Sequence, residues 1–477
     1  MRILKFGGSS VATESRRRRV AEVVHRARRL GGPLVAVTSA LGGVTDLLVA
    51  SIDEAVATGE LPVDRLHPLA SRHRGAAEAL SGAEHQQLDD LLAELNQRLL
   101  GIALLGECPP AVRHQILATG ERLAVPLVAE ALRRRGLEVE CLDGAELLVT
   151  SAGFGFEPRV DLEASRSLVA RRRPEIEHHP GVVLVPGFVA ADAAGRTTTL
   201  GRGASDLTAT LLGELLEAEA VEIWSDVDGV LSGPPSWVPE ARPLDRLGYS
   251  MAADLARFGA RVLHPRTLDP VRRWGIPVSI RNTLRPDGPG TRIDGGGETE
   301  GGGCHNLAIA AVEDVCRLRL SAPSPCQGPG FFPPGEAPPG DPLLWVGAMD
   351  PGALGPVVRQ AEETAWADWA ERRGLQIESR TGLALVAVVS DREEGRARLG
   401  GSVLGSLDRI GVSPLAVTCS EMTSRGTTLA LLVEGTQARR VVEALHADLV
   451  AAADDPMLIQ SPPRSAQIKH EPAMRAL

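Results

Sequence analysis

Five short segments of this chain carry residue types able to act on a small charged molecule. Lys5 runs almost directly into Gly7-Gly8-Ser9-Ser10. Paired glycines let backbone amides wrap phosphate oxygens, and the lysine is a flexible point charge that can offset charge developing on a phosphoryl group in transit. The lysine stands before the glycines, so the segment lacks P-loop spacing. Ser39 and Thr45-Asp46 put hydroxyls and a carboxylate on a second loop, although such residues also serve as helix caps. Glu121, after Gly120, can pair with an ammonium group or sit at a helix start favoured by the dipole. The densest set is Gly201-Arg202-Gly203-Ala204-Ser205-Asp206. A glycine loop before a helix leaves N–H groups that attract anions, and Arg202 adds a planar fork suited to carboxylate or phosphate. Asp206, in the first turn, can orient a cation, and Ser205 can cap the helix expected to start near it. Ser225-Asp226-Val227-Asp228-Gly229 reads either as a plain turn or as a holder of a ribose or Mg²⁺.

These segments need a scaffold that gathers them. Val182–Val185 has the length and β-branching of a buried strand, Leu34–Thr38 is a second strand of that type and Arg2–Phe6 a short one, and the last two each run into a Gly/Ser loop and then a helical pattern. Repeated strand–loop–helix units predict an α/β fold with a parallel sheet and loops at the strands' carboxyl ends, where ligands bind in such folds. Residues 51–117 lack strand signals and read as a helical insertion, and Ala118–Leu123 opens a helix expected to end at Arg135-Gly136. Arg16–Arg19 reads as a solvated helix face, and His178-His179 as exposed loop residues. Asp294–Gly303 is the clearest linker. Beyond it, strands at 306–320 and 343–347 precede a βαββα order over 383–450, predicting a smaller α/β region, and the tail from 454 lacks periodicity.

Composition narrows the function classes. The net charge of −10 argues against a broad nucleic-acid or anionic-membrane surface. Six scattered cysteines without a C-x-x-C pair argue against a disulfide framework or zinc site and fit a reducing cytoplasm. No apolar run approaches the roughly 20 residues that span a bilayer, and the N-terminus has no signal-like pattern, so a cytoplasmic location is expected.

Taken in order, Lys-Phe-Gly-Gly-Ser-Ser-Val, Thr-Ser-Ala with Gly-Val-Thr-Asp, Thr-Gly-Glu-Arg-Leu, Val-Pro-Gly-Phe, Thr-Thr-Leu-Gly-Arg-Gly-Ala-Ser-Asp, Trp-Ser-Asp-Val-Asp-Gly-Val, Phe-Gly-Ala-Arg-Val-Leu-His-Pro and Arg-Asn-Thr with Pro-Gly-Thr make a far sharper signal than any one of them. On these motifs residues 1–293 resemble aspartokinases of the amino-acid-kinase superfamily. The resemblance implies a three-layer αβα sandwich with a mostly parallel sheet, then a linker at 294–303, a degenerate ACT-like domain at 304–380, an ACT-like domain at 381–453 and a loose tail at 454–477. It implies transfer of the ATP γ-phosphoryl group to the side-chain carboxylate of L-aspartate, with Mg²⁺ bridging the phosphates.

Under that resemblance Lys5 meets transition-state charge and Asp206 orients substrate and lysine. Gly7, Gly8 and Ser9 line the phosphates. Ser39, Thr45, Glu121 and Arg202 hold the aspartate, and Ser225, Asp226, Arg261 and Val262 line the nucleotide. Paired ACT domains imply a homo-oligomer under feedback control by threonine or lysine. The chain departs from the family at Ser9 (usually threonine), Arg261 (usually lysine), Ser250-Met251 (usually acidic) and Gly233-Pro234-Pro235-Ser236, where Ser236 replaces an arginine that meets nucleotide phosphates. These departures leave open a kinase for another small acidic amino acid, or a weakly active amino-acid sensor.

Overall fold

The computed structural model describes residues 1–77, 80–151, 159–201, 203–260, 263–295, 306–321, 342–347, 353–391, 396–420 and 426–451. The strands in chain order are β1 Arg2–Phe6, β2 Leu34–Thr38, β3 Val139–Cys141, β4 Val149–Thr150, β5 Val182–Pro186, β6 Val189–Asp192, β7 Thr197–Thr199, β8 Ala220–Ser225, β9 Arg246–Leu247, β10 Val278–Asn282, β11 Thr291–Ile293, β12 Leu307–Ser321, β13 Leu344–Gly347, β14 Ala353–Arg359, β15 Gln376–Ser390, β16 Ala416–Ser420 and β17 Thr427–Glu434. The helices are α1 Gly8–Val11, α2 Glu14–Arg29, α3 Val44–Thr58, α4 Val63–Gly75, α5 Gly82–Leu105, α6 Pro110–Arg134, α7 Leu162–His178, α8 Ala204–Leu215, α9 Tyr249–Arg257, α10 Asp269–Trp274, α11 Glu363–Glu371, α12 Arg396–Arg409 and α13 Gly435–Leu445.

The large sheet has the order β3-β5-β2-β1-β8-β10-β11-β9 and is parallel except for the β10/β11 pair. β2 and β5 are buried from end to end and β1 from Ile3 onward, as parallel strands covered on both faces must be. Alternation along β1 shows the two covers. Leu4 and Phe6 pack with α2, α3, α5 and α6, whereas Ile3 packs with α7, α8, α9 and α10. The result is helix, sheet, helix in three layers, the expected α/β arrangement. A small sheet, β4-β6-β7, stands beside it.

The second region is one antiparallel sheet, β13-β14-β12-β15-β17-β16, with α12 and α13 packed on one part of it and α11 against another. β12 and β15 are fifteen residues each and pair from Leu307↔Ser390 to Ser321↔Gln376, interrupted by irregular register around Val312–Arg317. The expected division between residues 380 and 381 therefore falls inside β15. That strand starts at Gln376, seven residues before the expected 383, and β14 and α11 lie between the expected strands. Most of the expected linker (296–303) and the whole tail (454–477) lie outside the described residues. Asp294 is held in the first region, paired with Arg246 and Arg292.

Candidate active site

β1 sits in the middle of the large sheet, so the loop after Phe6 opens at the centre of the strands' carboxyl edge. Lys5, two residues after Ile3, points toward the α8 layer and is only 8% exposed. α8 begins at Gly203, whose left-handed conformation (φ 69°) turns the chain into the helix. That turn brings Asp206 Oδ1 to 2.5 Å from Lys5 Nζ. A cation and a carboxylate two hundred residues apart in sequence thus meet as a largely buried pair. Ser205 does not cap α8 as expected. Gly203 occupies the capping position with no side-chain bond, and Ser205 is buried in the first turn against Gly187, where an added Cβ would lie 2.6 Å from the serine Cβ.

The first glycine loop is laced to its neighbours. Gly7 N–H donates to the Trp224 carbonyl (3.0 Å), Ser39 N–H to the Phe6 carbonyl (3.1 Å) and Gly42 N–H to the Gly8 carbonyl (3.0 Å). The Gly7 amide is thereby committed. What Gly7 leaves open is space, since a Cβ there would stand 3.6 Å from Lys5 Nζ. At Gly8 a Cβ would come within 2.7 Å of the Ala40 carbonyl, so close approach of two loops requires glycine. Gly8 and Ser9 carry the first N–H groups of α1, which have no acceptor inside the helix. Sequence reading chose Ser9 and passed over Ser10. The structure buries Ser10 with its hydroxyl 2.8 Å from Thr283 Oγ1 and 3.4 Å from the Trp224 carbonyl, joining the first loop to the Arg281-Asn282-Thr283 motif.

Glu121 is not at a helix start. It lies well inside α6, and Gly120 is there because a Cβ would press on Ala40 Cβ, Leu48 Cδ1 and Val44 Cγ1 at 3.2–3.4 Å. The glycine lets α6 lie tightly against the Ser39 loop and so brings the carboxyl to it. Glu121 is 4% exposed, and among the described residues its Oε2 has no hydrogen-bond partner. Burial pushes its carboxyl up to about 8, against the pull of the Ala40 and Glu121 amides and the nearby Lys5 charge. A buried acid with an idle oxygen, facing a lysine, is suited to a ligand's ammonium group. Ser39 follows β2 directly and Thr45 is in the first turn of α3, both half-buried.

The Val-Pro-Gly-Phe motif forms a tight turn between β5 and β6. Phe188 has φ 67° and Val189 N–H donates to the Gly187 carbonyl (2.7 Å), the strained form of γ-turn. The Thr208 hydroxyl accepts from Phe188 N–H (2.9 Å) and donates to the Ala204 carbonyl (2.9 Å), so α8 and the turn share one buried group. The threonine run is pinned residue by residue: Thr197 by Arg122, Thr198 by Thr150 and Thr199 by His114.

Ser225 and Asp226 end β8 beside β10. Asn282 Nδ2 donates to Asp228 Oδ1 (2.8 Å) and the Asp226 carbonyl (3.3 Å), which fixes the Ser-Asp-Val-Asp-Gly loop. Gly229 and Gly290 are needed because Cβ atoms there would meet Thr291 Oγ1 at 2.4 Å and the Ile280 carbonyl at 2.2 Å. Arg202, Arg261 and Val262 lie outside the described residues. Ser236 is exposed, and its loop is held toward the second region, with Gly233 against the His446 ring and Val238 in the core built by β15, β17 and α13.

A mostly parallel three-layer fold is what the comparisons with known proteins reproduce. The model of the Amino acid kinase family matches residues 1–282. The chain belongs to this family. Aspartokinase 1, chloroplastic, of Arabidopsis thaliana is 35% identical over 297 residues, 61% of this chain but only 51% of the relative, so the chain spans about half the length of that protein. Lysine-sensitive aspartokinase 3 of Escherichia coli is 30% identical over 465 residues, covering 94% of this amino acid kinase and 98% of the relative. The structure of E. coli aspartokinase III in complex with aspartate and ADP superposes with a TM-score of 0.80 at 27% identity, covering 94% of this chain and all of the other. The match therefore extends through the antiparallel sheet as well as the amino acid kinase region.

Proposed function

We propose that this chain is an aspartate kinase, transferring the γ-phosphoryl group of ATP to the side-chain carboxylate of L-aspartate to give 4-phospho-L-aspartate. The observation that carries the reading is the 2.5 Å Lys5–Asp206 pair above the first glycine loop. A carboxylate acceptor needs no deprotonation at neutral pH, so alignment and charge neutralisation supply the catalysis. Lys5 meets charge developing on the transferring group. Asp206 holds the lysine and orients the acceptor. Gly8 and Ser9 offer amides to phosphate oxygens, and Gly7 leaves room before the amine. Glu121 takes the acceptor's ammonium group, with Ser39, Thr45 and Arg202 on its carboxylates, while Ser225, Asp226, Arg261 and Val262 line the nucleoside. Among the described residues no three ligating side chains could hold a metal ion by themselves. Mg²⁺ is proposed to arrive with the nucleotide, where it would shield phosphate charge.

The antiparallel sheet is proposed as the ACT-like regulatory region, in two units over 304–380 and 381–453 that share β12 and β15, with lysine or threonine as feedback effector and pairing of sheets between copies. The lysine sensitivity named for the E. coli relative supports lysine first. A coupled ADP-release assay across L-aspartate, L-glutamate and no acceptor tests the catalytic reading. Turnover with aspartate is expected. Equal turnover without acceptor removes it, and preference for glutamate reassigns the substrate. Calorimetric titration with lysine and threonine tests the regulatory reading, which fails if neither binds.

A further inference from the structure

The arginine run after the first loop is not a solvated face throughout. Arg18 and Arg19 are exposed and pair with Glu14 and Glu22. Arg16 and Arg17 turn back toward the loop they follow. Arg16 Nη1 donates to the Ser9 carbonyl (2.6 Å), and Arg17, only 3% exposed, donates to the Val11 carbonyl (3.2 Å). A third guanidinium arrives from elsewhere in the sequence. Arg72, near the end of α4 in the helical insertion, donates through Nη1 to the Gly42 carbonyl (2.8 Å) and through Nη2 to the Ala12 carbonyl (3.2 Å).

The consequence is geometric and electrostatic. Ala12 closes the first loop and Gly42 belongs to the second, so one planar fork bridges the two loops that Gly8 and Gly42 already join through their backbones. A lysine cannot do this, because its single ammonium has no fixed fork. Each of these carbonyls has a guanidinium donor, and three cations contact the loops read as taking phosphates. The carboxylates near Arg17 are Glu14 and Glu130, which Arg18 and Arg134 also engage.

We propose that Arg72 is a positioning residue for the nucleotide: from the helical insertion it clips the Gly7–Ala12 loop to the Ser39–Gly43 loop, and Arg16 and Arg17 complete a collar that prepares both loops for a nucleoside polyphosphate. The inference rests on the ATP-dependent reading above and gives the insertion a role in it. Arg72 is exposed apart from these contacts, so its replacement leaves the core intact. The test titrates ADP into the full chain by calorimetry for the wild type, Arg72→Ala and Arg72→Lys, with KM for ATP and L-aspartate measured in parallel. Arg72→Ala is expected to weaken ADP binding and raise the ATP KM about tenfold, with the aspartate KM held within about twofold. Arg72→Lys is expected to recover only part of that loss, because one ammonium reaches one carbonyl. ADP binding by Arg72→Ala equal to wild type overturns the proposal. So does an equal loss for both substrates, which marks general loosening. Failure of the wild type to bind ADP removes the nucleotide reading itself, and the clip with it.

Discussion

Replacing Glu121 by glutamine separates two consequences of burying that carboxyl. Its native value of about 8 lies above the ordinary 4.5, so over the intervening pH range the folded chain binds a proton that the unfolded chain has lost. The associated stability is complete below about pH 4.5 and disappears as pH rises through about 8. At 1.36 kcal/mol per unit the total is on the order of 5 kcal/mol. Glutamine is neutral throughout and still accepts from the Ala40 amide, so Glu121→Gln should not share the decline. Thermal unfolding from pH 5 to 9 should show wild-type stability falling toward that of the variant and below it at the alkaline end. Binding moves the other way. At pH 7 about nine in ten empty sites carry the proton. An ammonium ligand selects the ionised form, so aspartate KM should fall about tenfold from pH 6 to 7 and about fivefold more by pH 8. In Glu121→Gln that slope should vanish and KM at pH 8 should be at least tenfold higher. A flat wild-type KM over this range, or identical alkaline stability of the two proteins, would refute the assignment of Glu121 as a buried, protonated ammonium receptor.

Lys5→Ala and Asp206→Ala should each abolish ADP release while leaving the circular dichroism of the folded chain close to wild type, with the unfolding midpoint lowered because the remaining partner is left buried and unpaired. Near-normal turnover in either removes the mechanism. Thr208→Val should cost about 1–3 kcal/mol in denaturant unfolding by leaving the Phe188 N–H buried without an acceptor, while Thr208→Ser stays near wild type. Equal stability of the two contradicts the role given to that hydroxyl. Ser236→Arg should lower the ATP KM by restoring a cation to an exposed loop position, and an unchanged KM shows that this loop does not face the phosphates.

The central strands were legible because β2 and β5 are short runs rich in valine and β1 is a short segment leading straight into a glycine loop. The pairing of Lys5 with Asp206 followed from ordered motifs, each ambiguous alone. Glycine was where reading failed. Gly120 looks like punctuation before a helix, but its function is contact with Ala40, a property of the folded molecule only. Ser205 looks like a cap, yet Gly187 buries it instead. Ser10 and Ser9 are indistinguishable by type, and only the distant Thr283 makes Ser10 the internal brace. Arg17 and Arg72 were hidden for the same reason. Their acceptors are backbone carbonyls, which leave no trace in composition. β14 escaped because it follows a Pro/Gly-rich run, and β15 began early because its polar first half, Gln376–Gly382, breaks the apolar pattern.

The paired length of β12 and β15 bears on how this chain can be cut and how such a chain can change over generations. Removing everything after residue 380 would strip Leu307–Val312 of its partners at Leu385–Ser390 and lay bare an apolar edge open to self-association. A break before 306 would take the whole plate away at once. A cut in the glycine-rich stretch is no cleaner, because Ala308, Ala310, Leu385 and Ala387 share one buried core with Met251 and Leu255 of α9. Shorter versions of the molecule should therefore lose solubility at either cut, so that the plate is kept or discarded together with the region it packs on.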